Sequence, residues 1–195
     1  RAGFTVDIRV LREGFYPKGG ANVRAVARDA RFAPLTITDK GALIAVQGVS
    51  IASSSLRHAK VAERQAEEAR KLLFDHLGVR PEIRADYADT SCPGSGVQVW
   101  AKTERSITGG SALGERGKPA EEVGREAAHE LIAEYGASAV DRHAADQLFP
   151  YMARAGGAIL TSRITDHCRT NAFVIEKFLP VTFSFDGNLI RVEHM

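Results

Sequence analysis

Hydrophobic periodicity switches repeatedly along this chain between about two and about 3.6 residues, and that alternation restricts the possible folds more than any other feature. F-T-V-D-I-R-V-L puts Phe4, Val6, Ile8 and Val10 on one side and Thr5, Asp7 and Arg9 on the other, the pattern of a half-buried strand. G-F-Y-P-K-G-G (14–20) interrupts it and A-N-V-R-A-V-A-R (21–28) resumes it, which predicts a hairpin with a glycine-bearing connection. A-L-I-A-V-Q-G-V-S-I (42–51) reads as a buried strand. The serines at 53–55 predict a helix cap, with an apolar stripe of Leu56, Ala59, Ala62, Ala66, Ala69, Leu73 and Leu77 ending at Gly78.

P-E-I-R-A-D-Y (81–87) and G-V-Q-V-W-A-K-T (96–103) follow as strands expected to pair. Pro119 in a first turn, with Glu121 and Glu122 beside it, opens a second helix, and Gly136 closes it. Val123, Ala127, Leu131 and Tyr135 form its inward face. Asp141 caps a third helix through about Ala155, with a kink expected at Pro150. A-I-L-T-S (158–162) is a short strand, T-N-A-F-V-I-E-K-F-L (170–179) a fourth helix, and V-T-F-S-F-D-G-N-L-I-R-V (181–192) a hairpin turning at Asp186–Gly187. Strands and helices in small βα units predict an α/β (α+β) fold.

Charge is uneven. Residues 1–40 carry eight Lys or Arg against four Asp or Glu, whereas 41–140 carry twelve against fourteen and 141–195 six against six. The basic surplus at the start suits an anionic partner, and a solvated face explains it equally well. Cys92 and Cys168 are the only cysteines, which excludes a disulfide framework or a four-cysteine zinc site and favours a reduced, cytoplasmic setting. No apolar run approaches the roughly 18 residues of a membrane span. Arg1 in place of a methionine, with a strand pattern already under way by Phe4, suggests the carboxyl-terminal part of a longer polypeptide.

I-T-D-H-C-R-T-N (164–171) concentrates three chemistry-bearing side chains, Asp166, His167 and Cys168. A metal site needs more ligands at suitable spacing, and none is present. A Cys168–His167 catalytic pair fails because sequence neighbours diverge. A histidine facing phosphate is the remaining chemical reading. His167 stands about one turn before the predicted fourth helix, whose free amides and dipole favour an anion, and Arg163 and Arg169 are near in sequence. Asp166 would orient one imidazole nitrogen and leave the other exposed. A capping or surface histidine accounts for the same residues, so both readings stay open.

H-A-A-D-Q-L (143–148) is a second constellation, with Asp146 and Gln147 able to read a base edge or ribose and His143 able to stack on a purine. A solvated helix start is the plainer account. G-F-Y-P-K-G-G offers Lys18 and two aromatic rings, Phe15 and Tyr16, but spacing alone makes it a hairpin loop. S-C-P-G-S-G (91–96) lacks the form of a nucleoside-triphosphate loop. His58, His76, His129 and His194 read as surface or packing residues.

Taken together, G-F-Y-P-K-G-G, A-L-G-E-R-G-K-P-A-E-E-V-G-R-E-A (112–127), H-A-A-D-Q-L-F-P-Y-M-A-R-A-G-G (143–157) and H-C-R-T-N (167–171) resemble, in order, the RNA 3′-terminal phosphate cyclase family. The resemblance implies an ATP- and divalent-metal-dependent enzyme of the ligase class that converts an RNA 3′-phosphate into a 2′,3′-cyclic phosphate. It implies His167 as the nucleophile that becomes a covalent histidine–AMP, and His143, Ala144, Ala145, Asp146 and Gln147 as the adenosine cradle. It implies repeated βαβαββ units like those of enolpyruvate transferases, with an inserted smaller α/β domain. The main domain would then take 1–37 and 139–195, and the insert 38–138.

The sequence departs from the family pattern at Glu13 and Ala21, where arginine and a third glycine are usual, and at Cys168 and Arg169, where apolar residues are usual. The metal ligands and several RNA-binding arginines are expected in an amino-terminal segment, the implied partner of this chain. Two rivals remain: a non-catalytic cyclase-like ribosome-assembly protein, which would lack His167, and an enolpyruvate-transferase-like enzyme, which would lack the H-A-A-D-Q-L and H-C-R-T-N pair.

Overall fold

The structure, a computed structural model, describes residues 5–28 and 32–195. The chain runs β1 (Val6–Arg12), β2 (Asn22–Ala27), β3 (Leu35–Ile37), β4 (Leu43–Ser53), a 3₁₀ turn (Ser54–Ala59) and α1 (Val61–Leu77). There follow β5 (Glu82–Ala88), β6 (Ser95–Thr103), β7 (Ile107–Leu113), α2 (Ala120–Ala137) and α3 (Arg142–Ala155). β8 (Gly157–Leu160), α4 (Asp166–Phe178), β9 (Val181–Asp186) and β10 (Leu189–His194) complete it. Mixed sheets with helices packed on them give the expected α/β character.

Two hydrophobic cores form. One sits between the sheet β5-β4-β6-β7 and helices α1 and α2, around Val46, Leu73, Val99, Val123 and Leu131. Small residues let these helices approach closely. Ala62, Ala66 and Ala69 on α1 are fully buried, and a Cβ on Gly124 of α2 would stand 2.2 Å from the Gln65 carbonyl oxygen. The other core joins the sheet β3-β8-β10-β9 to α3 and α4 around Leu35, Phe149, Met152, Ile159 and Ile190. Its members therefore come from both sides of the first core in sequence. The stacked Phe149 and Phe183 rings, with centroids 4.7 Å apart, lie at its centre.

Hairpin β1–β2 forms as the alternation predicts, although Phe4 lies outside the described residues. Every residue of both strands is exposed, so the alternating face covers nothing among the described residues. The connecting loop docks on a second loop instead. A Cβ on Gly94 would meet the Phe15 ring at 2.2 Å, and the Cys92 thiol lies 3.1 Å from the Phe15 carbonyl oxygen. Phe15 is thus spent on packing and is not a free stacking platform, while Tyr16 is exposed.

Several boundaries differ from expectation. Strand 42–51 alternates between buried and half-buried residues, because helices cover only one face of its sheet. The Ser53–Ser55 cap does not form: a 3₁₀ turn intervenes and Lys60, at φ 48°, precedes α1. The Ser53 hydroxyl meets the 90–94 loop instead, near Thr90 Oγ1 and the Cys92 and Gly94 carbonyls. The two strands expected to pair flank β4 on opposite sides, β5 parallel and β6 antiparallel. Helix α1 supplies the crossover that a parallel β4–β5 pair requires.

Pro119 is the N-cap rather than a first-turn residue, and α2 runs through Gly136 to Ala137. Helix α4 begins a turn earlier than the apolar pattern suggests, because Thr165 accepts the Cys168 amide and caps it. β3 and β7 went unpredicted. β7 (I-T-G-G-S-A-L) is poor in strand formers, yet Gly110 is needed there: a Cβ would approach the Ala127 carbonyl oxygen to 2.4 Å. No described helix is long and apolar enough to cross a membrane.

Candidate functional site

A cavity of about 640 Å³ opens between the starts of α3 and α4. Its lining includes His143, Asp146 and Gln147 from one helix and Arg163, Asp166 and His167 from the other. Residues 24 apart, His143 and His167, thus share one space, as a nucleotide site built from both motifs requires. The packing of α3 on α4 explains the spacing. Asn171 lies one turn beyond His167 on the same face, and its amide reaches the Asp146 carbonyl and carboxylate, each at 3.4 Å. The last residue of one motif thereby holds the acidic residue of the other.

The two helix starts are not equivalent. At α3 the Asp141 carboxylate accepts from the His143 and Ala144 amides, the Ala145 amide bonds the Asp141 carbonyl, and the Arg142 amide donates to Glu134. No amide is left there for an anion. At α4 the Thr165 hydroxyl takes only the Cys168 amide. The Asp166 and His167 amides have no acceptor among the described residues and sit beside Arg163, which forms no ion pair among them. Among the described residues, α4 and not α3 thus offers a helix start with amides open to an anion.

Within residues 143–147 the side chains divide. Ala145 is fully buried in the core and Ala144 packs against that core, so neither side chain lines the cavity. His143 is exposed. Its Nε2 lies 3.2 Å from Arg142 Nε and 3.3 Å from Glu130 Oε1. A neutral Nε2 accepts from the guanidinium, whereas a protonated one donates to the carboxylate, so the ring's tautomer is tied to this pair. Gln147 spends one N–H on the His143 carbonyl and keeps its oxygen for a ligand.

His167 is exposed in the first turn of α4 rather than a turn ahead of it. Asp166 makes no hydrogen bond to its ring, so the orienting role expected of that carboxylate is not realised. Adjacent helical residues point about 100° apart, which explains why. Arg169 stacks over Phe185 at 5.5 Å and does not line the cavity. Cys168 is fully buried in the core, its thiol 3.4 Å from Thr165 Oγ1.

Arg142, Asn171, Glu130 and Glu134 contribute without having been singled out. Asn171 was within reach of sequence reasoning, standing at i+4 from His167. The two glutamates, one turn apart on α2, meet their partners only through the fold. Among the described residues no group of three or more His, Cys, Asp or Glu could hold a metal ion.

Comparison with known proteins shows the family of the chain. A family model described as RNA 3′-terminal phosphate cyclase (RTC), insert domain, matches residues 38–135. Proteins named RNA 3′-terminal phosphate cyclase are similar over nearly the whole chain. The one from Pyrococcus abyssi is 40% identical over 97% of this chain and 55% of its own length. Those from Thermococcus kodakarensis and Archaeoglobus fulgidus are 42% and 41% identical, over 97% and 98% of this chain and 55% and 56% of their own lengths. The chain thus spans a little over half the length of these relatives. With a family model covering half its residues, the chain belongs to the RNA 3′-terminal phosphate cyclase family.

Proposed function

We propose that this chain carries the nucleotide-binding and nucleophile-bearing part of an ATP-dependent RNA 3′-phosphate cyclase. The observation behind this reading is that His167 and the His143–Gln147 segment line one cavity, beside two amides and an arginine that have no partner among the described residues. His143 and Gln147 hold adenosine, and the Asp166 and His167 amides with Arg163 face the phosphates. An imidazole nitrogen of His167 attacks the α-phosphorus, an N–P bond forms, and the P–O bond to pyrophosphate breaks. Arg163 and the two amides stabilise the charge that develops. The RNA 3′-phosphate oxygen then attacks the histidine-bound phosphorus and frees the imidazole. The ribose 2′-hydroxyl attacks the activated 3′-phosphate, AMP leaves, and the ring of the cyclic phosphate closes.

The described residues do not fit a divalent-metal site, and no step is routed through a metal; its ligands are assigned to a partner segment outside these 195 residues. RNA 3′-phosphate ends are the proposed partner, and the enolpyruvate-transferase-like repeats and the main and insert domain division (1–37 with 139–195, and 38–138) belong to the same reading. The test is incubation of the full-length protein with ATP labelled at the α-phosphate. An acid-labile adduct that is lost in His167→Ala supports the reading. An adduct that persists in that variant removes His167 as nucleophile, and no adduct at all favours a non-catalytic cyclase-like protein.

A further inference from the structure

Glu134 lies in the last turn of α2, outside the cavity lining, yet it is 2% exposed and carries three donors. Its Oε2 accepts the Arg142 amide at 3.1 Å and the Ser162 hydroxyl at 2.5 Å, and its Oε1 lies 3.2 Å from Arg142 Nη1. Arg142 opens the α3 wall of the cavity. Ser162 precedes Arg163 on the opposite wall, and Asn188 fixes the Ser162 carbonyl at 2.9 Å. One buried carboxylate from the helix of the first core therefore ties together the two walls of a cavity in the second.

Glu130, one turn earlier, provides a built-in contrast. Its carboxylate pairs with Arg142 Nη2 at 2.7 Å, meets His143 Nε2 and accepts the Ser111 amide at 2.8 Å, but it does not touch the α4 side.

We propose that Glu134 is a positioning residue that sets the distance between the nucleotide-holding wall and the His167 wall, whereas Glu130 orients only the nucleotide-holding wall. The inference rests on the function proposed above. A carboxylate is suited to the task because two oxygens serve three donors in a dry site, where the charged hydrogen bonds are strong and their loss is costly. Misplacement of reacting groups by a fraction of an ångström slows attack without comparable loss of binding. Glu134 therefore acts on the rate of attack and Glu130 on affinity.

The experiment measures single-turnover formation of the labelled histidine adduct, and ATP affinity separately, in the full-length protein. Glu134→Gln keeps the shape but leaves one acceptor for three donors. It is expected to slow adduct formation at saturating ATP by about tenfold or more while ATP affinity stays within about threefold. Ser162→Ala removes only the far arm and reproduces the loss of rate in a protein with an unchanged thermal midpoint. Glu130→Gln weakens ATP affinity and leaves the saturated rate within about twofold. A saturated rate unchanged in both Glu134→Gln and Ser162→Ala overturns the assignment, as does a loss in Glu134→Gln that coincides with a lowered thermal midpoint and is absent from Ser162→Ala. If the unsubstituted protein forms no adduct, the proposed function itself fails and this inference falls with it. An active unsubstituted protein with an indifferent Glu134→Gln sinks the inference alone.

Discussion

The two cores are built in different ways. The first is continuous in sequence, its buried members running from Val46 to Leu131, and its interior holds a paired polar cluster beside one hydroxyl, Thr108 Oγ1, that has no partner among the described residues. Gln65 accepts from the Ser50 hydroxyl and donates to Ser95 Oγ, each at 2.9 Å. The second is assembled from Leu35 and residues 140–192, and it bears the cavity with both histidines. Both units leave large apolar side chains outside, Leu113 at 71% in the first and Phe178 at 81% in the second. A unit whose segments are neighbours in sequence can commit its side chains to packing. A unit joined from distant segments meets along helix starts and loops, where backbone amides and polar side chains stay available to a ligand.

The largest expected effect tests where the chemistry resides. His167→Ala should eliminate the adduct formed from α-labelled ATP while leaving the thermal transitions of the protein in place, since that side chain is exposed and makes no hydrogen bond among the described residues. A residual adduct above a few hundredths of the normal amount would break the comparison, placing the nucleophile elsewhere.

Leu131→Ala is next. Leu131 is fully buried in the first core, and its truncation should cost about 2–5 kcal/mol by calorimetry. Phe149→Ala should cost about 3–5 kcal/mol in the second core and disturb ATP binding as well, because α3 carries the proposed adenosine-binding residues. If both variants lower a single shared transition equally, the cores fold as one unit and the division drawn above is only geometric.

Gly124→Ala should destabilise by about 1–3 kcal/mol, because its methyl group would meet the Gln65 backbone and push α1 from α2. ATP affinity should not change in that variant.

The smallest effect is on pH dependence. The Tyr87 hydroxyl bonded to Glu63, and the Arg64 guanidinium bonded to Glu121, hold both carboxyls below their usual range. Carboxyls depressed in the folded state contribute stability that is present above their unfolded value near 4.5 and is lost as pH falls through the folded value. Acid titration should therefore weaken the first unit slightly, and Tyr87→Phe should flatten that slope. Glu63 is exposed and Glu121 half-buried at the surface, so solvent screening keeps the change small.

Much of the architecture was legible because it depends on local rules. The Asp141 cap, the Asp186–Gly187 turn, and the α1 and α2 stripes at 3.6-residue spacing are written in single segments. The failures were tertiary. Ser53 is a good cap by composition, but the half-buried carbonyls of the 90–94 loop claim its hydroxyl. β7 looks like a glycine-rich loop, and only the approach of α2 explains why Gly110 belongs in a strand. α4 looked shorter than it is because its first turn, D-H-C-R, interleaves polar residues with one buried cysteine.

The candidate site divides along the same line. Sequence by itself determined that His167 and the His143–Gln147 segment belong to a recognisable set of motifs, and it determined the amphipathic helices that carry them. Only the tertiary structure decided that the free amides lie at α4 and not at α3, and that Ala145 belongs to the core. It alone placed Asn171 on Asp146 and two glutamates of another core against Arg142. Periodicity and capping act within a few residues, so they can be read from the chain. A carboxylate finds its guanidinium across the fold only after both cores have packed, and no local pattern encodes that meeting.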